Sequence, residues 1–169
     1  MKKKVMALVL SALMVTGLVG CGNNNDNSAD SKESTLKVGM ITDSGTIDDK
    51  SFNQGTWEGI IEAEEKLGIE KNYLKPSGET EADYLTEIQN LYDSGYKFIV
   101  GPGFKLETAI YKAQEKYQDA KFVILDGAPM DEDGNYVVAD NTVAIQFAEH
   151  EGGFAAGVAA AVELKEGEL

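Results

Sequence analysis

The sequence predicts an α/β fold in which a parallel sheet is flanked by helices. Short apolar runs alternate with segments of helical periodicity from Leu36 to Leu125. This βαβαβαβ order, at these spacings, indicates parallel strands joined by right-handed crossovers. Each apolar run also ends in a loop rich in Gly, Pro, Ser or Asp, as strands of such sheets usually do. The segment 36–169 has a length that suits one small domain.

The first elements are a strand, a helix and a second strand. Residues 36–41 form a short apolar run, which predicts a buried strand. Ser51 and Gln54 fit a capping box at the start of the first helix. Apolar residues then recur at helical spacing until Gly68, which is predicted to end the helix. A second strand is predicted over residues 72–75.

The next elements continue the alternation. Thr80 is predicted to cap a second amphipathic helix, which ends at Gly95. A third strand follows over residues 97–100, and a third helix over residues 106–117. The run 121–125 is the clearest strand of the chain.

Beyond Met130 the pattern is looser. Residues 131–135 predict a turn, and residues 136–139 and 142–147 predict two further strands. A last helix is predicted from about residue 149 to residue 164, where Gly and Ala would permit close packing on a neighbour.

The start of the chain is predicted to be an export signal. Three lysines at positions 2–4 precede an apolar run over residues 5–19, which is shorter than the roughly 18–20 residues of a spanning helix. The run ends in Leu18-Val19-Gly20-Cys21, which is typical of a bacterial lipobox. Cys21 is the only cysteine, so the alternative is a free buried thiol.

Three segments follow from this interpretation. Residues 1–20 are a lipoprotein signal peptide, and cleavage before Cys21 leaves a cysteine that carries acyl chains. Residues 21–35 are a polar, flexible tether, and residues 36–169 are the α/β domain. The protein is therefore expected at the cell membrane, lipid-anchored on its extracytoplasmic face.

The composition excludes some partners. From Cys21 on, the chain has twelve lysines, no arginine and 29 acidic residues, a net charge of −17. Such a surface argues against nucleic acid and against electrostatic docking on anionic lipid. Much of this charge is also explained by solubility alone.

The candidate ligand site lies where the predicted strands end. Asp43 and Asp126 each follow a strand, and Phe52 opens the first helix. Because ligands of open α/β sheets bind beyond the carboxyl ends of the strands, these side chains are expected at one edge. Carboxylates accept hydrogen bonds from hydroxyls and repel phosphate, while Phe52 can stack on a flat ring. A neutral, hydroxyl-rich, flat ligand suits them.

Each of these residues also has a structural interpretation. Asp43 can cap a turn, and Asp48 and Asp49 can interact with the helix dipole. Phe52 can be a hydrophobic staple. Asp126 is harder to explain in this way, because a carboxylate at the end of a buried strand needs a partner.

No cofactor, metal site or catalytic constellation is predicted. The sequence contains neither G-x-G-x-x-G nor a P-loop. His150 is the only histidine, and it is better explained by helix-start packing than by metal ligation. The protein is therefore not expected to be an enzyme.

Three motifs resemble those of the basic membrane protein (PnrA-like) family. They are the stretches 49–53, 122–126 and 147–157, in this order behind the lipobox. Members of this family are substrate-binding components of ABC importers for purine nucleosides. They have a type I periplasmic-binding-protein fold with two lobes.

The resemblance implies specific contacts. Phe52 would stack on the base, while Asp43, Asp49, Asn53 and Asp126 would make polar contacts. Gly103 would give access to the backbone. The implied partners are a purine nucleoside and the permease and ATPase subunits of the transporter.

The resemblance also implies that only the first lobe is present. The chain stops where the first crossing to a second lobe is expected, so a fragment is expected: a truncated gene product, an incomplete gene model or a split reading frame. Such a lobe alone should bind inosine or guanosine no more tightly than about 1 mM, or roughly −4 kcal/mol.

Two other functions remain open at this point. One is a surface lipoprotein that contacts a regulatory protein partner, with a vestigial pocket. The other is a nucleoside hydrolase that uses the carboxylates at the strand ends.

Overall fold

The computed structural model describes residues 35–166, which form a five-stranded parallel sheet with four helices. The predicted signal peptide, Cys21 and nearly all of the predicted tether lie outside these residues. The strands are β1 (Lys37–Ile41), β2 (Glu70–Leu74), β3 (Phe98–Pro102), β4 (Lys121–Leu125) and β5 (Thr142–Ile145). The helices are α1 (Phe52–Leu67), α2 (Glu81–Asp93), α3 (Glu107–Lys116) and α4 (Glu149–Glu166).

The strand order is β2-β1-β3-β4-β5, and every pair of neighbours is parallel. The chain therefore moves outward from β1 in one direction for β2 and in the other for β3 to β5. The order reverses between β1 and β3, and ligands of open α/β sheets bind at such a reversal, beyond the carboxyl ends of the strands. The fold class and the parallel sheet that the sequence predicts are confirmed.

Helices cover both faces of the sheet. On one face α1 packs over β1 and β3, in a core of buried residues that includes Met40, Ile60 and Val100. On the other face α2 and α3 pack over a larger core, in which Ile88, Leu91 and Phe122 are almost completely buried. Burial on both faces explains why β1, β3 and β4 are largely apolar runs rather than alternating ones.

Local sequence signals set several element ends as predicted. Gly68 ends α1 in a left-handed conformation, with φ of 68°, which glycine adopts without steric cost. Thr80 caps α2 in a complete capping box with Asp83: the Thr80 hydroxyl accepts from the Asp83 N–H, and the Asp83 carboxylate accepts from the Thr80 N–H.

The predicted strand over residues 136–139 is wrong. Tyr136 makes only an isolated antiparallel bridge with Met130. The buried Gln114 side chain of α3 occupies the backbone groups that a strand would need. It donates to the Val137 carbonyl at 2.8 Å and accepts from the Ala139 N–H at 3.1 Å.

Helix α4 follows β5 and carries exposed side chains from Glu149 to Leu164. The three glycines of this helix have no neighbour within 4 Å of the position a Cβ would occupy, so the expected close packing does not occur among residues 35–166. No helix in this range combines the length and the apolar character needed to cross a bilayer.

Candidate functional site

The sheet brings three of the predicted site residues to one edge. Asp43 follows β1, Gly103 follows β3 and Asp126 follows β4. Neighbouring strands lie about 4.8 Å apart, so the ends of β1 and β4 are about 10 Å apart, with β3 between them. This edge includes the reversal between β1 and β3, where a ligand is expected.

The buried amide of Asn53 connects the end of β1 to the start of α1. Asn53 is 2% exposed. Its Oδ1 accepts from the Asp43 N–H at 3.1 Å, while its Nδ2 donates to Asp43 Oδ1 and to Asp49 Oδ2, both at 2.6 Å. Both N–H groups and the carbonyl are therefore paired, as a buried amide requires. One side chain holds two carboxylates in place.

Asp49, rather than Ser51, caps α1, so the predicted capping box is wrong. Asp49 Oδ1 accepts from the N–H groups of Ser51 at 2.8 Å and of Gln54 at 3.2 Å, whereas the Ser51 side chain makes no capping hydrogen bond. The Gln54 side chain accepts instead from the Lys50 N–H at 2.9 Å. Lys50 has φ of 57°, and this left-handed turn brings Asp49 back over the helix start.

The pKa of Asp49 reflects this position. Desolvation raises the pKa, but the hydrogen bonds from the Asn53 side chain and from the N–H groups of Ser51, Gln54 and Asn53 outweigh it. The pKa of Asp49 therefore lies below its ordinary value. A carboxyl group with a lowered pKa stabilises the folded state above about pH 3.9, and that contribution is lost as the pH falls through the folded pKa.

Asp43 has one carboxylate oxygen engaged and one available. Oδ1 accepts from the Gly45 N–H at 2.8 Å as well as from Asn53. Oδ2 accepts no hydrogen bond from residues 35–166, and it faces Gly103, where a Cβ would lie only 3.3 Å away. Gly103 thus lets the β3 loop approach Asp43. Its N–H donates to Leu125 and its carbonyl accepts from Leu106, so its contribution is steric.

Phe52 stands beside this network at the first position of α1. The residue is 42% exposed, so it is not part of the core. Its aromatic partner is Phe147, which follows β5, with ring centroids 5.8 Å apart and planes inclined by 28°. Phe147 is not among the site residues that the sequence predicts, although it ends the predicted strand over residues 142–147, which terminates at the same edge as the others.

Asp126 lies next to Glu149, the first residue of α4. The pKa of Asp126 is raised, first by desolvation and then by the hydrogen bond and the negative charge of Glu149. The backbone of Asp126 is left-handed, with φ of 58°, and its N–H donates to the Ile145 carbonyl at 2.8 Å. The sequence predicts Asp126 at this edge but not the second acid beside it.

Lys105 is a further residue at this edge that the sequence did not predict. Its ammonium donates to Glu79 at 2.6 Å and to the Ser44 hydroxyl at 3.2 Å. It therefore connects the loop after β1 to the loop before α2. The side chain is about one-third exposed, so its ion pair with Glu79 contributes little to the free energy of folding. Its main effect is to hold the two loops together.

The arrangement offers hydrogen-bond acceptors beside an exposed ring. Asp43 Oδ2 and the Asp126 carboxyl can accept hydrogen bonds from hydroxyl or amine groups, and Phe52 can stack on a planar group.

Two open hollows elsewhere, lined by residues such as Lys97, Lys121 and Asn141, lie at the opposite edge of the sheet. His150 is exposed in the first turn of α4, and residues 35–166 contain no group of acids, histidines or cysteines placed to hold a metal ion.

Comparison with known proteins identifies relatives of this lobe. The family model described as "ABC transporter substrate-binding protein PnrA-like" matches residues 36–169. The CD4+ T-cell-stimulating antigen of Listeria innocua is 36% identical, over 98% of this chain and 46% of that protein. The ABC transporter nucleoside-binding protein BmpA of Lactococcus lactis is 34% identical, with the same coverage. The chain spans about half the length of these relatives.

A similar solved structure is an ABC transporter solute-binding protein from Aeropyrum pernix K1. It superimposes with a TM-score of 0.56 and 26% identity, over 66% of this chain and 28% of that one.

Removing the Asn53 amide should destabilise the fold. Asn53→Ala deletes three hydrogen bonds, two of them to carboxylates, and leaves Asp43 and Asp49 facing each other. We expect a loss of about 2–4 kcal/mol in the free energy of unfolding, measured by urea denaturation. Asn90→Ala is the control, because Asn90 is exposed and donates only to Glu87; it should change stability by less than about 0.5 kcal/mol. Equal effects of the two substitutions would contradict the role of Asn53.

Neutralising Glu149 should lower the pKa of Asp126. Glu149→Gln removes the nearby charge, so the pKa should fall but stay above its ordinary value, because desolvation remains. Because the pKa of Asp126 is raised in the folded state, the free energy of unfolding decreases as the pH rises from about 3.9 through that pKa. Glu149→Gln should make this decrease smaller. Carboxyl-carbon NMR titration measures the pKa directly. The control is Glu151→Gln, at an exposed acid of the same helix turn, which should leave the pKa of Asp126 unchanged. An unchanged pKa of Asp126 in Glu149→Gln would contradict the pairing of Asp126 with Glu149.

Proposed function

The chain belongs to the PnrA-like family of ABC transporter substrate-binding proteins, and we propose that it binds a purine nucleoside. Members of this family are components of transporters and not a class of enzymes. The binding site is the carboxyl edge of the sheet, with Asp43, Asn53, Phe52, Gly103 and Asp126 as its residues.

The observation that carries this proposal is the juxtaposition of Phe52 with the network of Asp43, Asn53 and Asp49. The network fixes the backbone on both sides of the ring and leaves Asp43 Oδ2 uncommitted. Asn53 and Asp49 hold Asp43 and the start of α1 in place, while Asp43 and Phe52 contact the ligand. Because such a site is ordered before the ligand arrives, less binding free energy is spent on ordering it.

The chemistry favours a nucleoside over a nucleotide. Asp43 and Asp126 are both acidic, and the chain from Cys21 on carries a net charge of −17, so a phosphate would be repelled. The two hydroxyls of a ribose can each donate to a carboxylate oxygen. A fused two-ring base offers more stacking area to Phe52 than a single ring does. The name of the Lactococcus relative supports the nucleoside class.

The wider assembly is also part of the proposal. Closure of a second lobe over this edge would bury the nucleoside between two lobes, as hinge closure does in binding proteins generally. The closed form would then deliver it to the permease and ATPase subunits of an ABC importer. Acyl chains on Cys21, with residues 21–35 as a tether, would hold the protein on the extracytoplasmic face of the membrane.

Chemical-shift titration of the mature chain tests nucleoside binding. Inosine, raised to tens of millimolar, should shift the amide signals of Asp43, Phe52, Asn53 and Gly103, with a Kd of about 1 mM or weaker. Uridine should bind more weakly because it stacks less, and inosine monophosphate more weakly because of its charge.

Asp43→Asn provides the matched substitution. It replaces an acceptor oxygen at the site, so the Kd for inosine should rise about fivefold, or roughly 1 kcal/mol. Asp48→Asn, at an exposed position of the same loop, should leave the Kd within twofold. Absent shifts, or shifts confined to the opposite edge of the sheet, would contradict the proposal.

A further inference from the structure

We infer that Phe147 is a positioning residue that sets the plane of the Phe52 ring on which the base stacks. The inference rests on the proposed nucleoside site and adds a specific residue from the junction between β5 and α4. Phe147 acts through Phe52, covering one face of its ring and leaving the other face for the ligand.

The geometry of the pair is that of a stacked contact. The ring centroids lie 5.8 Å apart and the planes are inclined by only 28°. Aromatic pairs favour offset stacking at centroid separations of about 4.5–7 Å. The distance leaves no room for a base between the two rings, so a stacked base must occupy the opposite face of Phe52.

The pair is not explained by core packing. Phe52 and Phe147 are 42% and 48% exposed, and neither belongs to the two clusters that form the core. The two adjacent, partly exposed rings form one apolar patch at the candidate ligand edge, and contiguous exposed apolar patches are typical of binding sites.

Both rings lie next to backbone that is held by hydrogen bonds. Phe52 is the first residue of α1, whose start is capped by the Asp49 carboxylate. Phe147 lies two residues beyond Ile145, which pairs with Leu125 across the sheet and accepts from the Asp126 N–H at 2.8 Å. The paired end of β5 thus lies two residues before Phe147, whose ring contacts Phe52 without any ligand present.

The expected consequence is preorganisation. A phenylalanine side chain rotates about two bonds, and a ligand that stacks on a free ring must immobilise it. Contact with Phe147 restricts that rotation in advance. Removing the Phe147 ring should therefore weaken stacking although Phe147 itself does not touch the base.

The test compares inosine affinities by the same chemical-shift titration. Phe147→Ala should raise the Kd about fivefold, and Phe147→Tyr, which keeps the ring, should restore it to within twofold of the unmodified chain. Tyr73→Ala is the matched control, because Tyr73 is a partly exposed ring in an aromatic pair with Trp57, 5.0 Å away, inside β2. It should leave the Kd within twofold.

A double-mutant comparison, in which Phe147→Ala is added to a Phe52→Leu chain, shows whether Phe147 acts through Phe52. In a Phe52→Leu chain, which has no ring to orient, adding Phe147→Ala should change the Kd by less than twofold. A fivefold loss in both backgrounds would contradict the positioning role, as would an unchanged Kd in Phe147→Ala alone. If the unmodified chain shows no inosine shifts at all, the nucleoside proposal itself fails.

Discussion

The pairing of one buried amide with two carboxylates determines the geometry of this protein's candidate site. Asn53 lies in the first turn of α1, yet it holds Asp43 at the end of β1 and Asp49 in the loop between them. Carboxylates that are partly removed from water must be paired, and Asn53 supplies donors to both. The strand end, the loop and the helix start therefore form one rigid unit, whose outer surface carries Phe52 and the free oxygen of Asp43.

The topology of the sheet determines what faces this unit. Because the strand order reverses between β1 and β3, the two loops that follow these strands border the place where sheets of this kind bind their ligands. Gly103 lets the β3 loop approach Asp43, and Lys105 joins the neighbouring loops. On the far side, the β5–α4 junction contributes both Phe147 against Phe52 and Glu149 against Asp126. In the proposed site, aromatic stacking and hydroxyl recognition would thus come from different strands at one edge.

The sequence predicts the elements well where the signals are local. Gly68 and Thr80 mark helix ends through their own backbone and side-chain chemistry, and the run 121–125 forms the predicted strand without change. The sequence predictions are wrong where a side chain from elsewhere in the chain hydrogen-bonds the backbone of the predicted element. Asp49 replaces Ser51 as the cap because Lys50 turns the chain back, and Gln114 of α3 takes the backbone groups of residues 137–139. Asp43 and Asp126 are predictable because strand ends share an edge, whereas the pairing of Phe147 with Phe52 depends on how β5 packs.

Hydrogen exchange at the loop after β1 tests most directly whether Asn53 holds this unit together. The N–H groups of Asp43, Gly45 and Gln54 all donate to side chains of the network rather than to the sheet. If the network is intact in solution, these three amides should be protected to a similar degree and should lose protection together, in one opening event. Exchange of the Asp43 and Gly45 amides at the rate of an unstructured loop, while β1 remains protected, would contradict this account.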